Sequence, residues 1–395
     1  MQANTNRYTA LDVLRGMTVA GMILVNNPGS WGSIFPPLKH AAWSGCTPTD
    51  LVFPFFLFIV GAAMSFAFAK YDESLNQDSL KKLVKRSALI FVTGLALNAF
   101  PFYPTTLNPD LSFGENYINY LQNLRIFGVL QRIALCYLLG GFVALWLHKP
   151  KKIIVGMSVL LVLHTLILAL FGSGDPFSLE GNIAGAVDVA LVGETHVYHG
   201  FGVPFDPEGI LGVLSGSGTV LLGFLIGGLI RTSSSKSDAV GQLYTYGLIS
   251  LAIGVVLSIF LPINKPMWTA SYVFYAGGWS IVMLAFFIYF IDIKGKEKAF
   301  FPFKALGLNP LFAFVMAGVF AKVLGRVIKW TEMAIQPDGS MKEVTVSAAK
   351  WLYNNLCVSI FGDNEYASLM YALMYVTVFT LMAIVLYRKK IIIKL

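Results

Sequence analysis

The sequence is poor in charged residues and in cysteine. Only 13% of its 395 residues are Asp, Glu, Lys or Arg, whereas 56% are hydrophobic. A soluble globular domain carries about 25% charged residues, so this composition excludes that class and predicts an integral membrane protein. The three cysteines, Cys46, Cys136 and Cys357, are too few and too scattered for a disulfide framework.

Two processing signals are also missing. The apolar run 17–25 is short enough to resemble the core of a signal peptide, but Asn-Asn-Pro-Gly-Ser follows it instead of a small-residue cleavage site. We therefore interpret this run as part of the first membrane span. The loops predicted to face outward contain no Asn-X-Ser/Thr acceptor for N-glycosylation, which favours a bacterial inner membrane as the location.

Ten long apolar segments account for most of the chain. Because one crossing of a bilayer needs about 20 predominantly apolar residues, the predicted fold class is all-α, a polytopic integral membrane bundle of about ten transmembrane helices in one domain, 1–395. The apolar stretch 345–361 is interrupted by Lys350, Asn354 and Asn355; we interpret it as an interfacial helix, with an eleventh crossing as the alternative. The expected spans lie near 11–27, 48–69, 84–103, 126–147, 153–171, 209–230, 240–262, 268–291, 305–325 and 367–387.

The basic residues predict the orientation, since cytoplasmic loops are enriched in Lys and Arg. The loop 172–208 contains neither and is expected outside, together with 28–47, 104–125 and 326–366, so that both termini are cytoplasmic. The net charge of +8 then reflects topology, and no nucleic-acid partner is expected. The inner basic residues are Lys70, Lys81, Lys82, Lys85, Arg86, Lys149, Lys151, Lys152, Arg231, Lys236, Lys294, Lys296, Lys298, Lys304, Arg388, Lys389, Lys390 and Lys394.

Polar residues collect at the outer ends of the predicted spans. Intramembrane ionisable groups cost about 2.5 kcal/mol or more unless they are paired, so we expect a polar cavity open to the outside, with Arg132 paired to Asp50, Asp206 or Glu208. Histidine both accepts protons and carries acyl groups near neutral pH, which makes His40 the first catalytic candidate. The residues at this level are Asn26, Asn27, His40, Asp50, Arg125, Arg132, Asp206, Glu208, Asn264, Lys265, Trp268 and Tyr272.

Several of these residues lie in motifs that resemble one enzyme family. The motifs are L-D-V-L-R-G at 11–16, V-N-N at 25–27, K-H-A-A-W-S-G followed by T-P-T-D-L-V-F-P-F-F-L-F-I-V-G within 39–61, G-V-L-Q-R at 128–132, H-V-Y-H at 196–199, D-P-E-G-I-L-G at 206–212 and P-I-N-K-P-M-W-T-A-S-Y-V at 262–273. In this order they resemble the heparan-α-glucosaminide N-acetyltransferase family over nearly the whole chain. The chain looks like a compact bacterial member, without the extra lumenal domain and leading span of the animal enzymes.

The resemblance implies a reaction and two catalytic positions. Family members transfer acetyl from cytosolic acetyl-CoA, the co-substrate, to the amine of a terminal glucosamine on the far side of the membrane, here the periplasmic face. The family's catalytic histidine corresponds to His40 and its essential asparagine to Asn26. Whether His40 acts as a base or as an acetyl carrier stays open.

Other residues are candidates for binding the two substrates. Acidic side chains are expected to hold the sugar ammonium and hydroxyls, and tryptophans to stack on the pyranose ring. The substrate-binding candidates are Asp50, Trp43, Asp206, Glu208, Arg132, Asn264 and Trp268. Arg15 and Asn309, at the inner end, are candidates for binding acetyl-CoA. Simpler structural roles are the alternatives to substrate binding. Asp206 and Glu208 could cap the start of a helix, and Asp12 and Arg15 could form a structural ion pair.

No metal is expected, because Glu194, His196 and His199 lack a further ligand at suitable spacing; we interpret them as part of a structured loop. Cys46 is interpreted as a packing residue. The expected partners are acetyl-CoA, an amino-sugar acceptor and membrane lipid, and a homodimer stays open. Two other functions remain: a membrane O-acyltransferase of surface polysaccharide, and a secondary transporter of a sugar-like solute, although internal repeats typical of transporters are not visible.

Overall fold

The computed structural model describes residues 8–335 and 340–393, so the predicted tail residue Lys394 and part of the predicted loop 326–366 lie outside the described residues. The α-helices are α1 (Thr9–Asn26), α2 (Pro48–Phe68), α3 (Gln77–Ala99), α4 (Phe113–Gln122), α5 (Val129–Leu147), α6 (Pro150–Phe171), α7 (Ile183–Val192), α8 (Gly212–Thr232), α9 (Lys236–Leu257), α10 (Ala270–Phe287), α11 (Phe301–Leu308), α12 (Pro310–Lys322), α13 (Ala348–Leu352), α14 (Ser359–Phe361) and α15 (Glu365–Arg388). The strands are β1 (Lys329–Ile335) and β2 (Met341–Ser347).

The predicted fold class is confirmed: the described residues form a polytopic all-α bundle. Nine of the described helices are long and apolar enough to cross a membrane. These nine candidate spans correspond to nine of the ten predicted ones. They are built on α1, α2, α5, α6, α8, α9, α10, α12 and α15.

The remaining predicted span, 84–103, lies mostly within α3. The first half of α3 is basic. The helix as a whole is therefore not apolar enough to count as a membrane span by composition. However, α3 packs antiparallel along α5, with Leu83 against Gly141 and Gly94 against Leu130. The helix therefore covers the same depth as α5, and packing rather than hydropathy places it in the bundle.

The centre of the bundle depends on close backbone contact between α2 and α8. A Cβ atom added at Gly61 would lie 2.0 Å from the carbonyl oxygen of Val220, and one at Gly223 would lie 2.0 Å from that of Phe58. Small residues allow such helix backbones to approach closely in membranes. Phe58 lies against Gly223 and Ala62 against Gly227, so α2 and α8 run in the same direction. By contrast, α1 runs antiparallel to α2, because Gly21 lies against Val52 and Tyr8, at the start of α1, against Phe66.

Two predicted segments have different boundaries in the structure. The span 305–325 is divided into α11 and α12 at Pro310, because proline starts a helix readily but disfavours helical geometry in the residue before it. The stretch 345–361 was predicted as one helix, but its first three residues belong to β2, which pairs antiparallel with β1 from Lys329↔Ser347 to Ile335↔Met341. Residues 348–361 are helical and rise about 21 Å, which is too short for a crossing.

Candidate active site

His40 and Asp50 form a hydrogen-bonded pair where α2 begins. One carboxylate oxygen of Asp50, Oδ2, accepts hydrogen bonds from the backbone N–H groups of Ala41 and Thr47 and from the Thr47 hydroxyl, each at 3.0 Å. The other, Oδ1, lies 2.7 Å from Nδ1 of His40. Thr47 and Asp50 form a capping box, so the interactions that start α2 also aim the carboxylate at the imidazole.

The contact with the Asp50 carboxylate favours one tautomer of the imidazole. With Nδ1–H donating to Asp50, the neutral ring carries its free lone pair on Nε2. The Asp50 side chain is only 2% exposed, whereas that of His40 is 47% exposed. The buried carboxylate therefore orients an imidazole ring that is itself about half exposed, an arrangement that suits a general base or a nucleophile.

Lys265 completes this group, and sequence reasoning had assigned it no role. Its Nζ lies 3.1 Å from Nδ1 of His40 and 3.5 Å from Oδ1 of Asp50. Burial lowers the pKa of the Lys265 ammonium from its ordinary value, and the carboxylates of Asp50 and Glu208 oppose that shift. A cation is thus held beside the imidazole by two acidic side chains.

Asn264 supports the turn that carries Lys265. Its Oδ1 accepts a hydrogen bond from the N–H of Met267 at 2.8 Å, and its Nδ2 donates to the carbonyl oxygen of Trp43 at 3.1 Å. The amide is fully buried. The predicted substrate-binding residue therefore joins the Lys265 turn to the His40 loop and has no exposed surface for a sugar.

Asp206 and Glu208 are paired with Arg125. Both carboxylate oxygens of Asp206 accept hydrogen bonds from Arg125, from Nε at 2.9 Å and from Nη2 at 2.6 Å. Glu208 accepts from the same Nη2 at 2.5 Å, and the guanidinium lies 4.8 Å from the ring centre of Tyr198. Of the two acids, Glu208 is the one whose charge also acts on Lys265, so it links this cluster to the His40 group.

The ion pair predicted for Arg132 was wrong. Its Nη2 donates to the carbonyl oxygens of Pro207 and Gly209, at 3.0 and 2.9 Å, and its guanidinium lies 5.6 Å from the ring centre of Trp268. Arg125 precedes α5 and reaches the acidic side chains from the loop, whereas Arg132 lies within α5 and meets the backbone below them. Arg132 therefore fixes the turn that carries the acids.

The two tryptophans have structural contacts. Trp268 is 1% exposed and donates from Nε1 to the Thr219 hydroxyl at 3.1 Å. Its predicted stacking on a sugar ring is incompatible with this burial. Trp43 is half-buried; it donates from Nε1 to the Phe177 carbonyl at 2.8 Å and makes edge contacts with Phe205. Trp43 thus anchors the loop 172–208 beside His40.

Asn26 lies at the same end of the bundle as His40. It is the last residue of α1 and is exposed, and the antiparallel packing of α1 on α2 brings it to the level at which α2 begins. Within the described residues its side chain makes no hydrogen bond to His40. The structure therefore brings the two predicted catalytic residues to one surface without joining them.

The opposite end of the bundle, here called the basic end, contains a cavity of about 780 Å³. It lies between α1, α2, α3, α5 and the last described residues of the chain. Arg15 contributes to its wall and donates from Nη1 to Asp12 Oδ1 at 3.3 Å and to the Gly307 carbonyl at 3.2 Å. The charged and aromatic residues that line the cavity are Asp12, Arg15, Lys82, Lys85, Arg86, Phe56 and Tyr137.

Asn309, the other predicted acetyl-CoA contact, lies behind this wall. Its Nδ2 donates to the carbonyl of Ile391 at 3.0 Å, and its Oδ1 accepts from the N–H of Ile393 at 2.7 Å. Because Ile392 and Ile393 line the cavity, Asn309 shapes it through the backbone. Lys82, Lys85 and Arg86 of α3, which were predicted to lie on the inner side, also line the cavity.

No cluster of three His, Cys, Asp or Glu side chains suited to a metal occurs in the part of the chain that the structure describes. His196 contacts the Leu124 carbonyl through Nδ1 at 2.7 Å, and His199 contacts the Glu194 carbonyl through Nε2 at 3.0 Å. Burial, with a contribution from Asp50, raises the pKa of the Cys46 thiol to about 12. Cys46 therefore stays protonated and is not a thiolate nucleophile.

Comparison with known proteins agrees with the motifs. The family model described as heparan-alpha-glucosaminide N-acetyltransferase, catalytic, matches residues 7–190. The chain is 26% identical over 370 residues to the mouse heparan-alpha-glucosaminide N-acetyltransferase, covering 80% of this chain and 54% of the mouse protein. It is 27% identical over 371 residues to the human protein of the same name, covering 80% and 53%.

The chain spans about half the length of these curated relatives. The region matched by the family model contains Asn26, His40, Asp50 and Arg125. The resemblance predicted from the motifs is therefore confirmed: the chain is similar to the catalytic part of the heparan-alpha-glucosaminide N-acetyltransferase family over residues 7–190.

Proposed function

We propose that this chain transfers acetyl from acetyl-CoA to the amine of a glucosamine-type sugar, with His40 at the transfer site. The observation that carries the proposal is the 2.7 Å contact between His40 Nδ1 and Asp50 Oδ1, which leaves Nε2 as the basic nitrogen. The activity printed for the mouse and human relatives supports the reaction and the substrate class.

In direct transfer, His40 acts as the base. A glucosamine ammonium must lose a proton before its nitrogen attacks the thioester carbonyl. Nε2 of His40 takes that proton, and Asp50 stabilises the resulting imidazolium through Nδ1–H. The carbon–sulfur bond then breaks, the coenzyme A thiolate receives the proton from Nε2, and the acylated nitrogen releases its second proton to water, which leaves the neutral amide. A positioned base of this kind contributes about 10²–10⁴ to the rate.

In transfer through an acetyl-histidine, the same atom acts as the nucleophile. Nε2 attacks the thioester carbon, the carbon–sulfur bond breaks, and coenzyme A leaves. The sugar amine then attacks the acetyl carbon, the bond to Nε2 breaks, and the amine loses a proton. Asp50 holds Nδ1–H in both routes, so the geometry supports either one.

The neighbouring charges suit the groups that react. The Lys265 ammonium is available to stabilise negative charge that develops on the carbonyl oxygen, and the Asn26 amide is a second candidate donor. One such donor contributes about 3 kcal/mol in well-studied oxyanion holes. Glu208 is the candidate partner for the sugar ammonium, while Arg125 and Asp206 hold it in place.

We assign the basic-end cavity to the nucleotide part of acetyl-CoA. Arg15, Lys82, Lys85 and Arg86 line it, and basic side chains bind phosphate. Phe56, the lining residue of α2 closest to the His40 end, is six residues from Asp50, a helix rise of about 9 Å. The pantetheine arm would cover this distance along α2.

The excess of Lys and Arg at the basic end supports a cytoplasmic location for it. Acetyl-CoA would then bind from the cytoplasm, and the His40 end would face the periplasm of a bacterial inner membrane. A homodimer is compatible with this arrangement but is not needed for either route.

The direction of transfer is tested in sealed proteoliposomes of known orientation. A cysteine introduced in place of Glu180 reports that orientation, because it should react only with reagent on the outer side. Acetyl-CoA supplied to the basic-end side should acetylate glucosamine held on the other side, and the His40→Ala variant should not. Transfer only when both substrates share one side would contradict the transmembrane arrangement. Acetylation of the hydroxyls of N-acetylglucosamine, instead of the amine of glucosamine, would favour an O-acyltransferase. Movement of the sugar across the membrane without acetylation would favour a transporter.

A further inference from the structure

A second large groove lies on the side of the bundle, separate from His40 and from the basic-end cavity. Its volume is about 720 Å³, and α6, α8, α9 and α10 border it. The part at membrane depth is lined by apolar side chains, including Ile153, Met157, Leu222, Leu225, Ile249 and Ile253. Because these helices are membrane spans, the groove opens toward lipid hydrocarbon.

The mouth of the groove, at the basic end, is polar. Glu73, His148, Arg231, Ser233 and Ser234 line it. Arg231 uses Nη2 to contact Glu73 Oε1 at 2.7 Å, and its Nε is buried without a hydrogen-bond partner among the described residues. A guanidinium has five N–H donors, so a single carboxylate leaves it able to bind a second anion.

The surroundings of the mouth are positively charged. α6 and α9 both begin there, at Pro150 and Lys236, and helix N-termini favour anions. The exposed residues Lys151 and Lys152 lie in the first turn of α6. Apart from Glu73, no acidic side chain lines the groove in the part of the chain that the structure describes.

We propose that this groove binds one anionic glycerophospholipid, with an acyl chain between α6 and α9 and the phosphate beside Arg231. A groove that opens sideways at membrane depth is filled from the bilayer, and basic pockets between helices at the cytoplasmic surface recognise anionic headgroups. The charge at the mouth selects an anionic lipid over a zwitterionic one. This site is independent of the acetyl-transfer reaction.

Two variants test the two parts of the site. Arg231→Gln removes the charge at the mouth. Gly228→Leu fills the groove, because Gly228 lines it and a Cβ atom there would meet only the Ser65 hydroxyl, at an ordinary 3.7 Å. The controls make the same chemical changes elsewhere: Arg388→Gln in the last turn of α15, and Gly241→Leu on α9, where nothing lies within 4 Å of an added Cβ.

The measurement is native mass spectrometry of the full chain in detergent, titrated with dioctanoyl-phosphatidylglycerol or dioctanoyl-phosphatidylcholine. The intact protein should prefer the anionic lipid by about fivefold or more, the factor expected for one basic residue beside an anionic headgroup. Arg231→Gln should lose the preference, Gly228→Leu should lose binding of both lipids, and both controls should behave like the unmodified chain.

Two outcomes would overturn the proposal. One is an unchanged preference for phosphatidylglycerol in both Arg231→Gln and Gly228→Leu. The other is displacement of phosphatidylglycerol by glycerol 3-phosphate at equal concentration, which would identify a site for a free phosphate compound. If Arg231→Gln does not fold because Glu73 loses its partner, the Gly228→Leu and Gly241→Leu pair still decides the result.

Discussion

The carboxylate of Asp50 caps α2 with one oxygen and holds Nδ1 of His40 with the other, at 2.7 Å. A helix cap and an imidazole orientation therefore depend on the same side chain. Because Asp50 lies at the third position of α2, any shift of the helix start would also move the base. The first turn of the helix thus defines the geometry of the candidate active site.

The two roles of Asp50 are separated by a pair of variants. Asp50→Asn should lower kcat by at least about 100-fold, because the amide is a poor partner for the imidazolium. Thr47→Ala removes a hydroxyl that contacts Asp50 Oδ2 and the Lys39 carbonyl but keeps the Asp50 carboxylate and His40, so it should cost about 1 kcal/mol of stability and lower kcat much less than Asp50→Asn does. Thermal unfolding and single-turnover kinetics measure the two effects. Equal losses of kcat in both variants would argue that Asp50 acts only as a helix cap.

Lys265 should control the alkaline limb of the activity profile. If its ammonium stabilises the reacting carbonyl, activity falls as pH rises through the Lys265 pKa, and burial moves that pKa below its ordinary value. Lys265→Arg keeps the charge at high pH, so its alkaline limb should lie at higher pH. Lys265→Met should lose about 10²–10³ in kcat at pH values below the Lys265 pKa, and its activity should no longer fall with that pKa. The measurement is kcat from pH 7 to 11, and identical limbs for Lys and Arg would refute this role.

Asn26→Ala should lower kcat more than it raises the KM for acetyl-CoA. A donor to the developing oxyanion acts mainly in the transition state, so its loss appears in kcat. Asn27 is the natural control, because its Nδ2 already donates to the Ile23 carbonyl at 2.7 Å; Asn27→Ala should change kcat little. A pure KM effect in Asn26→Ala would instead indicate a binding role.

Asp188 should make stability depend on pH. Burial raises the pKa of Asp188 to about 7, above its unfolded value of about 4. The native state therefore binds the extra proton between these values, and its stability falls as pH rises from about 4 to about 7, by up to about 1.4 kcal/mol per pH unit. The Tm should fall less from pH 5 to 8 in Asp188→Asn than in the unmodified chain. The exposed Asp175→Asn is the control, and parallel Tm curves for all three proteins would contradict the shift.

Local patterns explain why part of the fold was predictable. Hydropathy is a property of consecutive residues, so nine spans were located correctly, and the motif around His40 contains Asp50, its partner in the structure. The hairpin of β1 and β2 was missed, although the sequence between them includes Pro-Asp-Gly at 337–339, a turn signal. The apolar residues of 345–361 suggested a helix more strongly than this signal suggested a turn.

Contacts between distant parts of the chain were decided only by packing. Lys265 lies 225 positions from His40 in sequence, and no local pattern indicates that a turn before α10 reaches the start of α2. Arg125 and Arg132 are equally basic in sequence, yet only Arg125 meets the acids, because the depth of each guanidinium depends on where α5 begins. Trp268 could be recognised as aromatic but not as buried. Membrane insertion follows from composition along the chain, whereas the charges around the imidazole depend on which helix ends the bundle brings together.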